Sequence, residues 1–172
     1  VRSFDAAVRE SLEDFGSRIA DIRKLCGLSQ MDLAERVGIH VNTVANVERG
    51  EVDASILAVS VMLIELGCEG VMVGEEGFAP VFCESIRPAR AFPGLPTNRA
   101  VMAAIIGNEI RQRRLGLDLS IEEISERAGI HKNTLWNLER GLVAPSFSTT
   151  YRIYRSLSVV GVVGSNDGIS LL

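Results

Sequence analysis

Apolar residues recur at helical spacing along most of this chain, and the pattern falls into short segments. Ile19, Ile22 and Leu25 mark the inward side of one helix. Further short helices are predicted over Gln30–Val37, from His40 to Gly50, and over Ser55–Leu66. The same succession returns over Ile121–Ala128, from His131 to Gly141, and over Ser146–Leu157, with Ile110 as the clearest anchor upstream. The two longest apolar runs, Ile56 to Ile64 and Ala100 to Ile106, stop short of the ~18 residues that a membrane-spanning helix needs. They read as buried helix. After each succession the period changes. Val71-Met72-Val73-Gly74-Glu75-Glu76-Gly77 and the stretch from Val160 to Gly168 set apolar β-branched residues around a Gly-rich turn, which predicts a short strand or hairpin. Pairing one strand with the other satisfies edges that would otherwise stay open; a frayed tail is the alternative.

The two successions are copies. Gly16 to Gly50 and Gly107 to Gly141 align without a gap, with about 16 of 35 positions identical, including the run GIHxNTxxNxERG. Ser29 with Asp32, and Ser120 with Glu123, are capping-box starts. Gly38 and Gly129 sit where a turn needs positive φ, and Gly50 and Gly141 stop the next helix. Pro80, Pro88, Pro93, Pro96 and Gly94 punctuate residues 79–96 as a linker, and Thr97 is placed to cap the helix beyond it. Ser3 to Phe15 read as a leading helix. The expected division is a first repeat over 1–79 (core 16–50, hairpin-like end 70–79), a linker over 80–96, and a second repeat over 97–172 (core 107–141, strand-like end 159–172).

Composition changes this picture little. With 172 residues, 47% hydrophobic and 23% charged, the chain is of ordinary globular make-up, which sets disorder aside. No basic-then-apolar signal segment opens it, and valine at position 1 fits either a trimmed chain or an alternative start codon. Three cysteines without a CxxC pair fit a reducing compartment and read as small apolar residues. Two histidines leave little for a metal site, and neither a metal nor a cofactor is expected. The net charge of −4 is uneven: residues 1–90 carry nine basic and fifteen acidic side chains, residues 91–172 nine and seven. A global count does not exclude a local basic face.

LSQMDLAERVGIHVNTVANVERG resembles the phage-repressor and Cro-like (XRE) helix-turn-helix family, and LSIEEISERAGIHKNTLWNLERG is similar to it. The resemblance implies a mostly α fold of two tandem lambda-repressor-like five-helix domains, each ending in a short strand or hairpin. It implies double-stranded DNA as partner and transcription regulation as function. Geometry agrees. With residues ~100° apart, Val44 and Val47 of the second helix of the motif face inward, leaving Val41, Asn42, Ala45 and Asn46 free. In the second copy Leu135 and Leu138 face inward, and Lys132, Asn133, Trp136 and Asn137 are free. Such a helix lies in a major groove, where an Asn amide can pair bidentately with adenine and Lys132 can reach guanine or phosphate. The base readers are therefore Val41, Asn42, Asn46, Lys132, Asn133, Trp136 and Asn137.

By the family pattern, Arg23 pairs with Glu48 and Arg114 with Glu139, as structural ties between helices. Gln30 stands where the family holds a phosphate, and Ile121 at the matching place cannot. Thr43, Thr134, Arg49 and Arg140 complete the phosphate contacts, with Arg111 and Arg113 as compensation in the second repeat. Asp21, Asp32, Glu35, Glu51 and Asp53 crowd the first repeat, which favours the second as the stronger DNA contact. His40 and His131 read as turn residues or phosphate neighbours, with a pH switch or metal ligand as the alternative. Trp136 has three readings: a thymine-methyl contact, a partner contact, or a cover for the linker.

No catalytic constellation or nucleotide loop is present in the sequence, so an enzyme is not expected. The reading is a sequence-specific transcriptional regulator, a repressor, whose tandem units act as a pseudo-dimer on an imperfect palindrome. The alternative is an antitoxin-like or anti-activator module in which one repeat binds a protein partner. A homodimer through the apolar helix 55–66 or the terminal strands is a further expectation. So is a cytoplasmic, nucleoid-associated place for a bacterial or phage-encoded protein, with no membrane contact.

Overall fold

The computed structural model describes residues 4–75, 77–82, 98–164 and 169–172. The first repeat holds helices α1 (Phe4–Leu25), α2 (Gln30–Val37), α3 (Val41–Arg49) and α4 (Ile56–Glu65), then strands β1 (Cys68–Val73) and β2 (Phe78–Phe82). The second runs in the same order through α5 (Arg99–Gly116), α6 (Ile121–Ala128), α7 (Lys132–Glu139), α8 (Phe147–Ser156), β3 (Gly161–Gly164) and β4 (Ile169–Leu171). The chain is mostly α, and each repeat ends in antiparallel strands. Among the described residues there are four helices per repeat rather than five. The leading segment expected over Ser3–Phe15 is continuous with the helix behind it, because no proline or cap interrupts α1.

Local signals set the short helices. Ser29 Oγ accepts the Asp32 N–H and Asp32 accepts the Ser29 N–H; Ser120 and Glu123 do the same. The Ser29 bonds hold the Asp32 carboxyl below its usual range, and the Ser120 bonds do so for Glu123. Gly38 and Gly129 end these helices at φ 67° and 63°, where a Cβ would be strained. The cap of α5 is Asn98, which accepts from Ala100 and Val101; Thr97 and the expected linker from 83 onward lie outside the described residues. Pro80 to Phe82, placed in the linker by the sequence, belong to β2. Leu25 is 64% exposed rather than inward. It lies about 120° around α1 from Ile19, and the inward place goes to Arg23.

The repeats are joined by their equivalent parts. The strands form one sheet in the order β2-β1-β3-β4, so the repeats do pair strand to strand. In the antiparallel β1–β3 pair, Val71 meets Val162, its own counterpart 91 positions on. Ser55 and Ser146, also 91 apart, form an isolated antiparallel bridge. Beside it the Ile56 N–H donates to Pro145 O (3.0 Å) and the Phe147 N–H to Ala54 O (2.8 Å), again a matched pair of bonds. Equivalent residues that meet antiparallel lie on a two-fold axis, so these two places define a pseudo-dyad between the repeats.

The core runs through both repeats. Phe78 of the first stacks edge-on against Phe147, Tyr151 and Tyr154 of the second, at 4.6, 5.5 and 6.0 Å between centroids. Phe15 closes on Phe147 at 4.7 Å. The apolar residues of α4, from Ile56 to Ile64, are all buried, and α4 contacts α5, α8 and β1 besides its own α2. Its excess apolar surface therefore serves the junction within the chain.

One tie across the junction is asymmetric. Asp53 accepts the Ser148 N–H (2.8 Å) and the Ser148 hydroxyl (2.5 Å) at the start of α8. The matching positions, Ala144 and Leu57, have no such groups. The carboxylate satisfies an open N–H and meets the positive end of α8. Asp53→Ala is expected to cost about 1–2 kcal/mol in urea unfolding, with an unchanged slope. An unmoved midpoint would show that the bond contributes nothing to the junction.

Candidate nucleic-acid interface

The second helix of each motif (α3 and α7), the recognition helix expected from the sequence, is seated by its two inward residues. Val44, Val47, Leu135 and Leu138 are buried, as the periodicity requires. Behind them a buried guanidinium ties the first helix of each repeat to the recognition helix. Arg23 donates from Nε and Nη2 to Glu48 (2.5 and 2.9 Å) and from Nη1 to Leu28 O (2.6 Å). Arg114 does the same to Glu139 (2.6 and 2.8 Å) and Leu119 O (2.7 Å). These fork-shaped pairs match planar donor to planar acceptor. Hydrogen bonding to the partner carboxylate raises the pKa of both arginines above an already high value, outweighing desolvation.

The histidines are caps. His40 Nδ1 accepts the Asn42 N–H (3.1 Å) and His131 Nδ1 the Asn133 N–H (3.2 Å). The repeated His-x-Asn spacing was the sequence signal for this role, which serine or asparagine more often fills.

On the free face, Asn42, Lys132 and Asn133 are exposed, and Asn46 and Asn137 are half-buried. Val41 is partly packed against the core and presents only part of its side chain. Thr43 and Thr134 stand half-buried in the first turns. Trp136 is 42% exposed, with the Arg140 guanidinium 3.5 Å above its ring centre. The cation covers one face of the indole and leaves the other face and the edge.

The two repeats differ in what their arginines hold. Arg49 donates to Glu51 (2.7 Å) and to Asn46 Oδ1 (2.7 Å), so its charge is answered by a neighbouring carboxylate. Leu142 replaces Glu51 in the second repeat, and Arg140 rests on Trp136 instead. Gln30 gives one amide N–H to Glu48 (2.7 Å), joining the buried pair. Arg113 departs from expectation. It is directed at the carbonyls of Leu157 and Ser158, both at 3.4 Å, at the end of α8 where open carbonyls attract a cation. Arg111 is exposed on α5.

Two short helices joined at a glycine turn occur once in each repeat, and the sequence around each matches a known family. The helix-turn-helix family matches residues 19–70 and 110–157, more than half of the chain. The chain belongs to the helix-turn-helix family. Its two units are of the XRE type and stand in tandem. A similar protein is an uncharacterized HTH-type transcriptional regulator of Methanothermobacter thermautotrophicus, 42% identical over 48 residues, which are 28% of this chain and 70% of that protein. No solved structure matches the chain at a significant level. No helix among the described residues is long and apolar enough to cross a membrane.

Sequence reasoning missed one pair of residues that shapes both helix-turn-helix units. Gly16 and Gly107 let the first helix of each unit touch the recognition helix backbone, at Val47 O and Leu138 O. Their identity in both copies was the available signal.

Proposed function

We propose that this helix-turn-helix regulator is a repressor that reads an imperfect palindrome with its two units, one chain serving as a built-in dimer. DNA-binding regulation follows from the family. The pseudo-dyad through Val71–Val162 and Ser55–Ser146 carries the finer reading. A two-fold relation is what presents two recognition helices to half-sites about one helical turn apart. Because Val41 faces Lys132 and Ala45 faces Trp136 in the comparison of units, the half-sites are unlike.

In this reading Asn42, Asn46, Lys132, Asn133, Trp136 and Asn137 touch base edges, with a lesser share for Val41. Gln30, Thr43, Thr134, Arg49, Arg140 and Arg111 lie along the backbone, and Arg113 is left to the fold. Such contacts release counterions, so affinity falls steeply with salt. The unit with Arg140 holds DNA more tightly than the unit in which Glu51 answers Arg49. The protein acts in the compartment that holds the DNA.

Selection from random duplexes with the whole chain tests this. The expected product is a bipartite site bound by one chain. Asn137→Ala is expected to cost about 1–3 kcal/mol and to relax preference at one base pair of one half. Asn46→Ala is expected to relax the other half. A single half-site, indifferent to Asn46, would overturn the pseudo-dimer. It would favour the second reading, in which the first repeat, with Arg49 neutralised, binds a protein.

A further inference from the structure

The two repeats diverge most sharply in charge at one slot, between the end of the motif's first helix and the helix that follows the motif. In the first repeat an ion pair spans this slot. Arg36 of α2 reaches Glu65 of α4 at 3.4 Å, and Val61 and Ile64 are buried beside it. Counting 91 positions on, Arg36 becomes Arg127, but Glu65 becomes Ser156 and the two apolar residues become Arg152 and Arg155. The carboxylate across the slot is lost, leaving Arg127 with Glu123 of its own helix, and two further guanidiniums are gained. Here the structure has a cleft of about 560 Å³ lined by all three arginines. That volume lies within the usual range for small-molecule sites, about 300–1,000 Å³.

The cleft joins the repeats. One wall is Glu75 from the turn after β1, and the other is the end of α6 with α8. Tyr151 fixes that turn, its hydroxyl lying 2.9 Å from Gly74 O and 2.6 Å from Glu75 O. Among the described residues, the lining carries three guanidiniums and two carboxylates, those of Glu75 and Glu126. Guanidinium groups present paired donors that fit the two oxygens of a carboxylate or phosphate.

We propose that this cleft binds a small organic or inorganic oxyanion, a carboxylate or phosphate compound held chiefly by Arg127 and Arg155. Both arginines stand on the second repeat, and the ligand site does not rest on the DNA-reading proposal.

The full chain is titrated without DNA by calorimetry, using citrate and inorganic phosphate as probes at constant ionic strength. Saturable binding is expected for at least one probe. Arg127→Gln and Arg155→Gln, both at exposed positions, are expected to weaken it at least about tenfold. Arg36→Gln, the same change in the ion-paired slot of the first repeat, leaves it unaltered. Absence of saturable binding of both probes up to on the order of 10 mM overturns the site, as does binding that survives both substitutions. Because no duplex is present, a failure here and a failure of DNA reading are separate results.

Discussion

Glu139→Ala is expected to destabilise the chain by about 3–5 kcal/mol, the usual range when one member of a buried ion pair is removed. Arg114 is 7% exposed and gives two N–H groups to Glu139 and a third to Leu119 O. Without the carboxylate, a guanidinium that cannot lose its proton is left in the interior with one partner. The pair spans α5 and α7, so the loss also frees the end of the recognition helix. Glu48→Ala is expected to act similarly on the first repeat, with Gln30 losing its acceptor too. Replacing both members, Arg114→Met with Glu139→Leu, is expected to recover much of the stability, because two apolar groups need no pairing. Urea unfolding monitored by circular dichroism reads all of these. A loss under about 1 kcal/mol for Glu139→Ala would mean the pair is solvated, as surface pairs are.

The second large effect is a change of sign. Glycine in a helix ordinarily costs about 0.5–1 kcal/mol relative to alanine, so Gly→Ala stabilises. Gly107→Ala is expected to do the reverse, by about 1–3 kcal/mol or more. A Cβ there would stand 2.1 Å from Leu138 O, and at Gly16 it would stand 2.2 Å from Val47 O. Both obstacles are backbone atoms of the recognition helix, which no rotamer change relieves. The control lies in the same helix. A Cβ on Gly116 meets nothing within 4 Å, so Gly116→Ala is expected to raise stability by about 0.5–1 kcal/mol. Thermal unfolding of the two variants in parallel decides the matter. Equal gains would show that α5 and α7 are not in close contact. Because Gly107 sets where α7 sits, the variant is also expected to weaken DNA binding by the second repeat.

The paired Arg–Glu residues and the paired glycines show how far the sequence reaches. The ion pairs came from the family pattern, and the structure adds their burial and the third bond to a carbonyl. The glycines stood at the first position of both repeated segments, yet their role depends on a helix thirty residues away in the chain. The sheet is a similar case. Strand-like ends and their mutual pairing were legible from β-branched residues and open edges. The register that sets Val71 against Val162 was not.

What the sequence by itself determined is local and periodic. The capping boxes, the αL glycines, the helix ends and the buried side of each recognition helix follow from contacts within a few residues and from 3.6-residue spacing. They were readable twice over because the chain repeats. Only the tertiary structure decided which free-looking groups are engaged elsewhere. Gln30 turns to Glu48, Arg49 to Glu51, Arg113 to the end of α8, Arg140 to the Trp136 ring, and Asp53 to the cap of α8 in the other repeat. A long polar side chain can reach several partners within its own length, and the choice among them is made by whichever helix end or carboxylate the packed core brings near.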